Sequence, residues 1–235
     1  MIRDFPEDPV PDDARVLTAR FGSVIFIDVY VVNGRDVTDP TYQVKLEWLA
    51  ALRRWMTDTF DLNDELVVAG DFNIAPDERD VCDPATCAGR IHCSETERAE
   101  LRWFLDRGFV DLLRLHSEGA GRYSWWDYRG GGVPSWLGLR IDLVLGTRPM
   151  ADRCVEVRID RNERRPTAGE GKPGDHAPII AKFRPQELVV GARYSDRDLP
   201  MLACLGVEPV VSVEAVQQQA KQLLSRRSDI GTDAL

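Results

Sequence analysis

Three segments of this sequence set polar, chemistry-capable residues at the ends of apolar runs. The first is Gly70-Asp71-Phe72-Asn73, directly after the apolar residues 66–69. A carboxylate and an amide two positions apart leave a strand on the same side. That spacing aims a base and a hydrogen-bond donor into one pocket; the structural alternative is an Asx turn. The second is Gly138-Leu139-Arg140-Ile141-Asp142, where Asp142 enters the apolar run 141–145. A carboxylate there is costly to bury without a partner, so it calls for a histidine, an arginine or a metal. Arg140 is the nearest structural partner. The third is Gly174-Asp175-His176-Ala177-Pro178. It sets a metal-ligand type beside a proton donor, and His176 is a second candidate partner for Asp142.

The elements that must hold these residues follow from the pattern. Residues 24–30 and 65–70 are short, largely apolar runs of the kind that form buried strands. Residues 141–145 and 178–183 read the same way, while 154–159 alternate and read as a half-exposed strand. From Pro40 onward, Leu46, Leu49, Leu52 and Met56 recur at helical spacing, with Asp39 as N-cap and Pro40 at the first helical position. Ser94 and Glu97 fit a capping box that opens a second helix with Leu101, Phe104 and Leu105 on its apolar face. Strands alternating with amphipathic helices argue a layered α/β domain. We place that domain at 1–184 and a C-terminal extension at 185–235, with an amphipathic helix over 211–227 capped by Ser212.

The net charge of −9 excludes a globally basic nucleic-acid-binding surface. Local positive charge remains, with Arg122, Arg129 and Arg140 in one stretch and Arg161, Arg164, Arg165 and Lys172 in another. No apolar run is long enough for a membrane span, and residues 1–6 lack the apolar run of a secretory signal. Five irregularly spaced cysteines fit a reducing cytoplasm better than a disulfide framework. Cys82, Cys87, His92 and Cys93 lie close together, but their spacing is not that of a standard zinc site, and a free-thiol loop is the expectation.

Taken with Tyr123-Ser124-Trp125-Trp126-Asp127-Tyr128-Arg129, these blocks resemble the exonuclease III and abasic-site endonuclease family of the endonuclease/exonuclease/phosphatase superfamily. Tyr30-Val31-Val32-Asn33-Gly34 is similar to the family's Tyr-x-Pro-Asn-Gly, with Val32 in place of Pro. Order and spacing agree from Phe21 to Phe183. The resemblance implies a DNase I-like α/β sandwich and Mg²⁺-dependent (or Mn²⁺-dependent) phosphodiester hydrolysis. The substrate it implies is duplex DNA with abasic sites or blocked 3′ ends, cut by a cytoplasmic monomer.

It also implies roles. Asp71 orients or deprotonates water, Asn73 holds it, and Tyr30 contacts the phosphate. His176 hydrogen-bonds the phosphoryl oxygen with Asp142 fixing its tautomer. Asp71, Asn73 and Asp175 form the metal site, and Asn33, Trp125, Arg129 and Arg140 contact substrate, with Trp126 or Trp136 as substitutes for Trp125. Family members open with an Asn-bearing strand and a strand ending in Gln-Glu-x-Lys, whose Glu is a principal magnesium ligand. Neither has a counterpart in residues 1–235. The expectations that follow are a sandwich short of its first strands, with one depleted sheet, and weak metal-supported turnover. The competing readings are a non-catalytic remnant and a superfamily phosphatase acting on lipid or inositol phosphates, the latter disfavoured by the Trp-rich block.

Overall fold

The computed structural model describes residues 2–126, 138–164, 174–185 and 210–212. Its centre is a parallel pair, β3 (Val24–Tyr30) and β4 (Leu66–Asp71), in a register that sets Tyr30 opposite Asp71. Parallel neighbours cannot be joined by a hairpin, and α1 (Pro40–Thr59) provides the crossover. Asp39 caps α1 by accepting from the Thr41 N–H at 2.8 Å, with Pro40 in the first turn, as its sequence predicts. Two antiparallel strands, β1 (Ile2–Arg3) and β2 (Val16–Phe21), extend the sheet beyond β3. On the other side come β8 (Asp142–Gly146), antiparallel to β4, and then β5 (Val110–Asp111). The six-stranded order is β1-β2-β3-β4-β8-β5.

Side chains alternate across this sheet, and both faces are buried. Ile25, Ile27, Leu66 and Val68 pack against Trp48, Leu49, Leu52 and Met56 of α1 and against Leu101 and Phe104 of α3 (Glu95–Asp106). The opposite face carries Phe26, Val67, Ala69 and Val144. It meets Val157 of β9 (Cys154–Ile159) and Ile179, Ala181 and Phe183 of β10 (Ile179–Phe183). Short helices α4 (Leu112–His116) and α5 (Arg148–Arg153) fill the same layer through Leu112, Leu113 and Met150. The molecule is therefore layered as helices, sheet and sheet. Among the described residues the second sheet has three strands against six in the first.

Two smaller features bear on the site. Strands β6 (Trp125–Trp126) and β7 (Gly138–Leu139) pair at the rim, and α2 (Pro84–Cys87) closes a loop beside them. Gly70, just before Asp71, has φ +137°, and a Cβ there would lie 2.0 Å from the Val29 carbonyl oxygen. Only glycine lets β3 and β4 approach this closely where the site begins.

One element departs from its sequence reading. Val210–Ser212 forms β11, antiparallel to β10, where the start of a helix was expected. Three residues, two of them β-branched, meet a free sheet edge there, and backbone pairing outweighs the helical periodicity that follows. The rest of the expected helix lies outside the described residues, as do most of the 185–235 extension and Arg129, Arg165, Lys172 and Trp136.

Candidate active site

The pleat brings the polar residues together. β3 and β4 run parallel, and their carboxyl ends present Tyr30 and Asp71 on adjoining strands; Asp71 in turn sits opposite Asp142, the first residue of β8. Ligands of open α/β sheets lie beyond such strand ends. The segment entering β10 reaches across the same rim, bridging Trp125 to His176. The resulting cleft has a volume of about 670 Å³, and Tyr30, Asp71, Asp142, Asp175 and His176 all line it.

His176 stands between two carboxylates. Its Nδ1 is 2.9 Å from Asp142 Oδ2, and its Nε2 is 3.9 Å from Asp71 Oδ2. Burial opposes a charge on the imidazole, but the Asp142 hydrogen bond and charge, with Asp71 and Asp175 beyond, outweigh it and raise the pKa to about 9. The ring is therefore an imidazolium at neutral pH, with Nδ1–H donating to Asp142 and Nε2–H turned toward Asp71. Asp71 moves the other way for a carboxylate. Burial and the Asp142 charge lift it to about 7, against the pull of His176, the Asn73 N–H and Lys45.

Asn73 is buried and holds Asp71 from behind. Its N–H donates to Asp71 Oδ1 at 2.8 Å, and its Nδ2 donates to Asp71 Oδ2 at 3.1 Å and to the Val31 carbonyl at 2.9 Å. Its own amide oxygen accepts from Asn33 Nδ2 at 2.9 Å. Asn73 thus positions the Asp71 carboxylate, with its amide engaged by Asp71, Val31 and Asn33. Asn33 is exposed and acts on Asn73 in the same way.

Asn73 has φ +52°, and its carbonyl is gripped by Lys45 Nζ at 2.7 Å and His92 Nδ1 at 2.7 Å. Lys45 is fully buried, pairs with the equally buried Glu97 at 2.5 Å, and also reaches the Asn33 carbonyl. His92, which the sequence grouped with three cysteines, is pushed down to about 4 by burial and Lys45, so its ring is neutral and donates here.

The remaining assignments divide. Trp125 Nε1 donates to Asp175 Oδ2 at 3.1 Å, so Trp125 is at the site but also holds an acid in place. Arg140 is corrected. It is fully buried, with its guanidinium spanning Asp80 at 2.5 Å and Asp111 at 2.6 Å, and it does not face the cleft. Asp142 consequently takes His176, not Arg140, as its partner. Arg140 instead anchors the chain entering β8, where the Ser124 hydroxyl accepts from the Ile141 and Asp142 N–H groups.

Sequence reasoning missed Lys45, Ser124 and Asp28. Asp28 lines the cleft two residues before Tyr30, and burial raises its carboxyl to about 6. Its signal was present: it interrupts an apolar strand on the same face as Tyr30.

The carboxylates that line the cleft are hard oxygen donors of the kind that hold a divalent cation. Among the described residues no group of three or more His, Cys, Asp or Glu side chains is gathered as a ligand set. The Cys82, Cys87, His92 and Cys93 loop is not gathered as a ligand set either, and burial pushes the Cys93 thiol up to about 12.

The fold and this site are those of a layered α/β phosphoester hydrolase. Residues 2–176 match the family model described as "Endonuclease/Exonuclease/phosphatase family", and the chain belongs to that family. It is 30% identical over 194 residues to exodeoxyribonuclease III of Haemophilus influenzae, covering 77% of this chain and 71% of that protein. It spans 63% of the length of an exodeoxyribonuclease of Bacillus subtilis, at 27% identity over 71% of this chain. Among solved structures it is similar to the 3′-5′ exonuclease NExo of Neisseria meningitidis, with TM-score 0.70 and 40% identity over 77% of this chain and 70% of that one. An AP endonuclease of Archaeoglobus fulgidus gives TM-score 0.69 and 33% identity over 78% and 70%.

Proposed function

We propose that the chain hydrolyses phosphodiester bonds in duplex DNA as an exonuclease III-type repair enzyme, cutting at abasic sites and clearing blocked 3′ ends. The reading includes Mg²⁺, with Mn²⁺ as substitute, and a cytoplasmic monomer; no described helix is long and apolar enough to cross a membrane. One observation carries it above all: the His176 ring, clamped by Asp142, faces Asp71 across a carboxylate-lined cleft. The names of the relatives, an exodeoxyribonuclease III and an AP endonuclease, support the same substrate.

The chemistry follows from the residues. Asp71, near neutrality in its pKa, is matched to take a proton from an attacking water. Asn73 fixes the direction of that carboxylate. His176 offers Nε2–H to a non-bridging phosphoryl oxygen, and Asp142 keeps its other nitrogen protonated and its ring oriented. Tyr30, half exposed at the rim, reaches the phosphate from the next strand. Asp71 and Asp175 would hold the cation, which supplies charge neutralisation on the phosphoryl oxygens when bound. The indole of Trp125, tied to Asp175, offers a flat wall to an extrahelical sugar, which is cheap to expose where no base pair is lost.

The test is incision of a duplex oligonucleotide carrying one abasic site, and release of phosphate from a 3′-phosphorylated end, with Mg²⁺ and with chelator. Metal-dependent product that His176→Ala removes is the expected result. Cleavage of a lipid or inositol phosphate with no action on DNA would replace this reading with the phosphatase one.

A further inference from the structure

The catalytic cleft is acidic, lined by Asp28, Asp71, Asp142, Glu163 and Asp175, and the whole chain carries a net charge of −9. A polyanion held there must be anchored by positive charge close by. A pocket beside the cleft supplies it. This pocket of about 190 Å³ opens between the end of α4, the end of β9 and the segment entering Trp125, and His116, Arg122, Arg158 and Arg161 converge on it with Ser117 and Tyr123.

Two of its cations, Arg122 and Arg161, are available. Arg122 donates Nε to the Ser117 hydroxyl at 2.9 Å, and among the described residues no carboxylate pairs with Arg122 or Arg161. Glu156 and Asp160 are both engaged by Arg158, which offsets that guanidinium's own charge. Arg161 lies over the Trp126 ring at 5.2 Å, which holds its guanidinium at the pocket without neutralising it.

The pocket shares a wall with the cleft. In the single 3-10 turn Arg161–Arg164, Arg161 faces the basic pocket and Glu163, two residues on, faces the cleft. Trp126 joins them from the other side, its N–H donating to the Asp175 carbonyl at 3.2 Å. We infer that His116, Arg122, Arg158 and Arg161 form a phosphate-binding subsite for the nucleic-acid backbone that runs out of the catalytic cleft. The inference rests on the DNA reading above and deepens it. It gives a protein of negative net charge a defined place to hold the strand.

The test measures binding separately from cleavage. A fluorescein-labelled duplex is titrated with protein in chelator across a series of salt concentrations, using wild type, Arg122→Gln/Arg161→Gln, and the control Arg54→Gln/Arg102→Gln on α1 and α3. All four side chains are exposed, so folding is not at stake. The expected result is weaker binding by the first double variant alone, with its log K against log salt slope reduced by about one per arginine. Its turnover at saturating DNA should stay near wild type while KM rises. Wild-type affinity and slope in that variant, with normal binding and cleavage by wild type, overturn the subsite and leave the DNA reading intact. An equal loss in the control pair overturns it as well, showing only a general charge effect. Wild type that neither binds nor cuts DNA overturns both.

Discussion

His176 Nδ1 lies 2.9 Å from Asp142 Oδ2, and the two residues are 34 positions apart in the chain. Against the pull of burial, Asp142 fixes the ring and, by its hydrogen bond and charge, raises the His176 pKa to about 9. A histidine whose pKa is raised on folding contributes stability that is fully present below its ordinary value of 6.5 and lost as pH rises through about 9. Asp142→Asn removes the charge that holds the proton. The His176 ring should then titrate at a lower pH than in wild type by NMR, and the variant should lose stability at pH 6 more than at pH 10. An unchanged titration in Asp142→Asn would contradict the assignment of Asp142 as the ring's partner.

Asp71 shifts in the same direction, so its contribution to stability also falls as pH rises. Its pKa is raised to about 7 on folding, so the carboxylate costs stability that is absent at acid pH and fully present above about 7. Asp71→Asn should therefore raise Tm at pH 8 in chelator. Added Mg²⁺ should raise the Tm of wild type more than that of Asp71→Asn, because a cation binding only the folded state stabilises by mass action. A metal-induced shift identical in the two proteins would remove Asp71 from the cation's ligands. Activity is not needed for either reading.

Lys45 and Arg140 are the buried cations beneath the site, and their loss should act on folding first. Lys45→Met strands the Glu97 carboxylate, and Arg140→Met strands Asp80 and Asp111. Breaking a buried pair from one side costs about 3–5 kcal/mol, which denaturant titration resolves. Lys45→Met/Glu97→Gln should recover part of the loss. The recovered protein should still cleave slowly, because the Asn73 carbonyl and its φ of +52° have lost a holder. Arg140→Lys should keep DNA affinity while losing stability; a selective loss of affinity would restore Arg140 as a substrate contact.

Local pattern made much of this legible in the sequence. The run Val24–Tyr30 is a strand with the bounds its residues predict, and Asp39 and Ser94 cap their helices as their types require. The strand-end motifs converge because strands deliver their ends to one rim. What was not legible depends on partners far along the chain. Arg140 is 60 residues from Asp80 and 29 from Asp111, and nothing local distinguishes a buried fork from a solvent-facing one. Lys45 sits mid-helix like any surface lysine until α1 docks over Asn73 and Glu97. The hydrogen bonds that engage the Asn73 amide, from Asn33 and to Val31, are likewise tertiary.

The most direct measurement is cleavage of a duplex carrying a single abasic site by wild type and His176→Ala, each with Mg²⁺ and with chelator, at pH 7.5. The account predicts slow, chelator-sensitive product from wild type and a rate lower still by about 10²–10³-fold in His176→Ala, the loss expected when a donor to developing phosphoryl charge is removed. Equal rates for the two proteins, or cleavage that survives chelation, would contradict it.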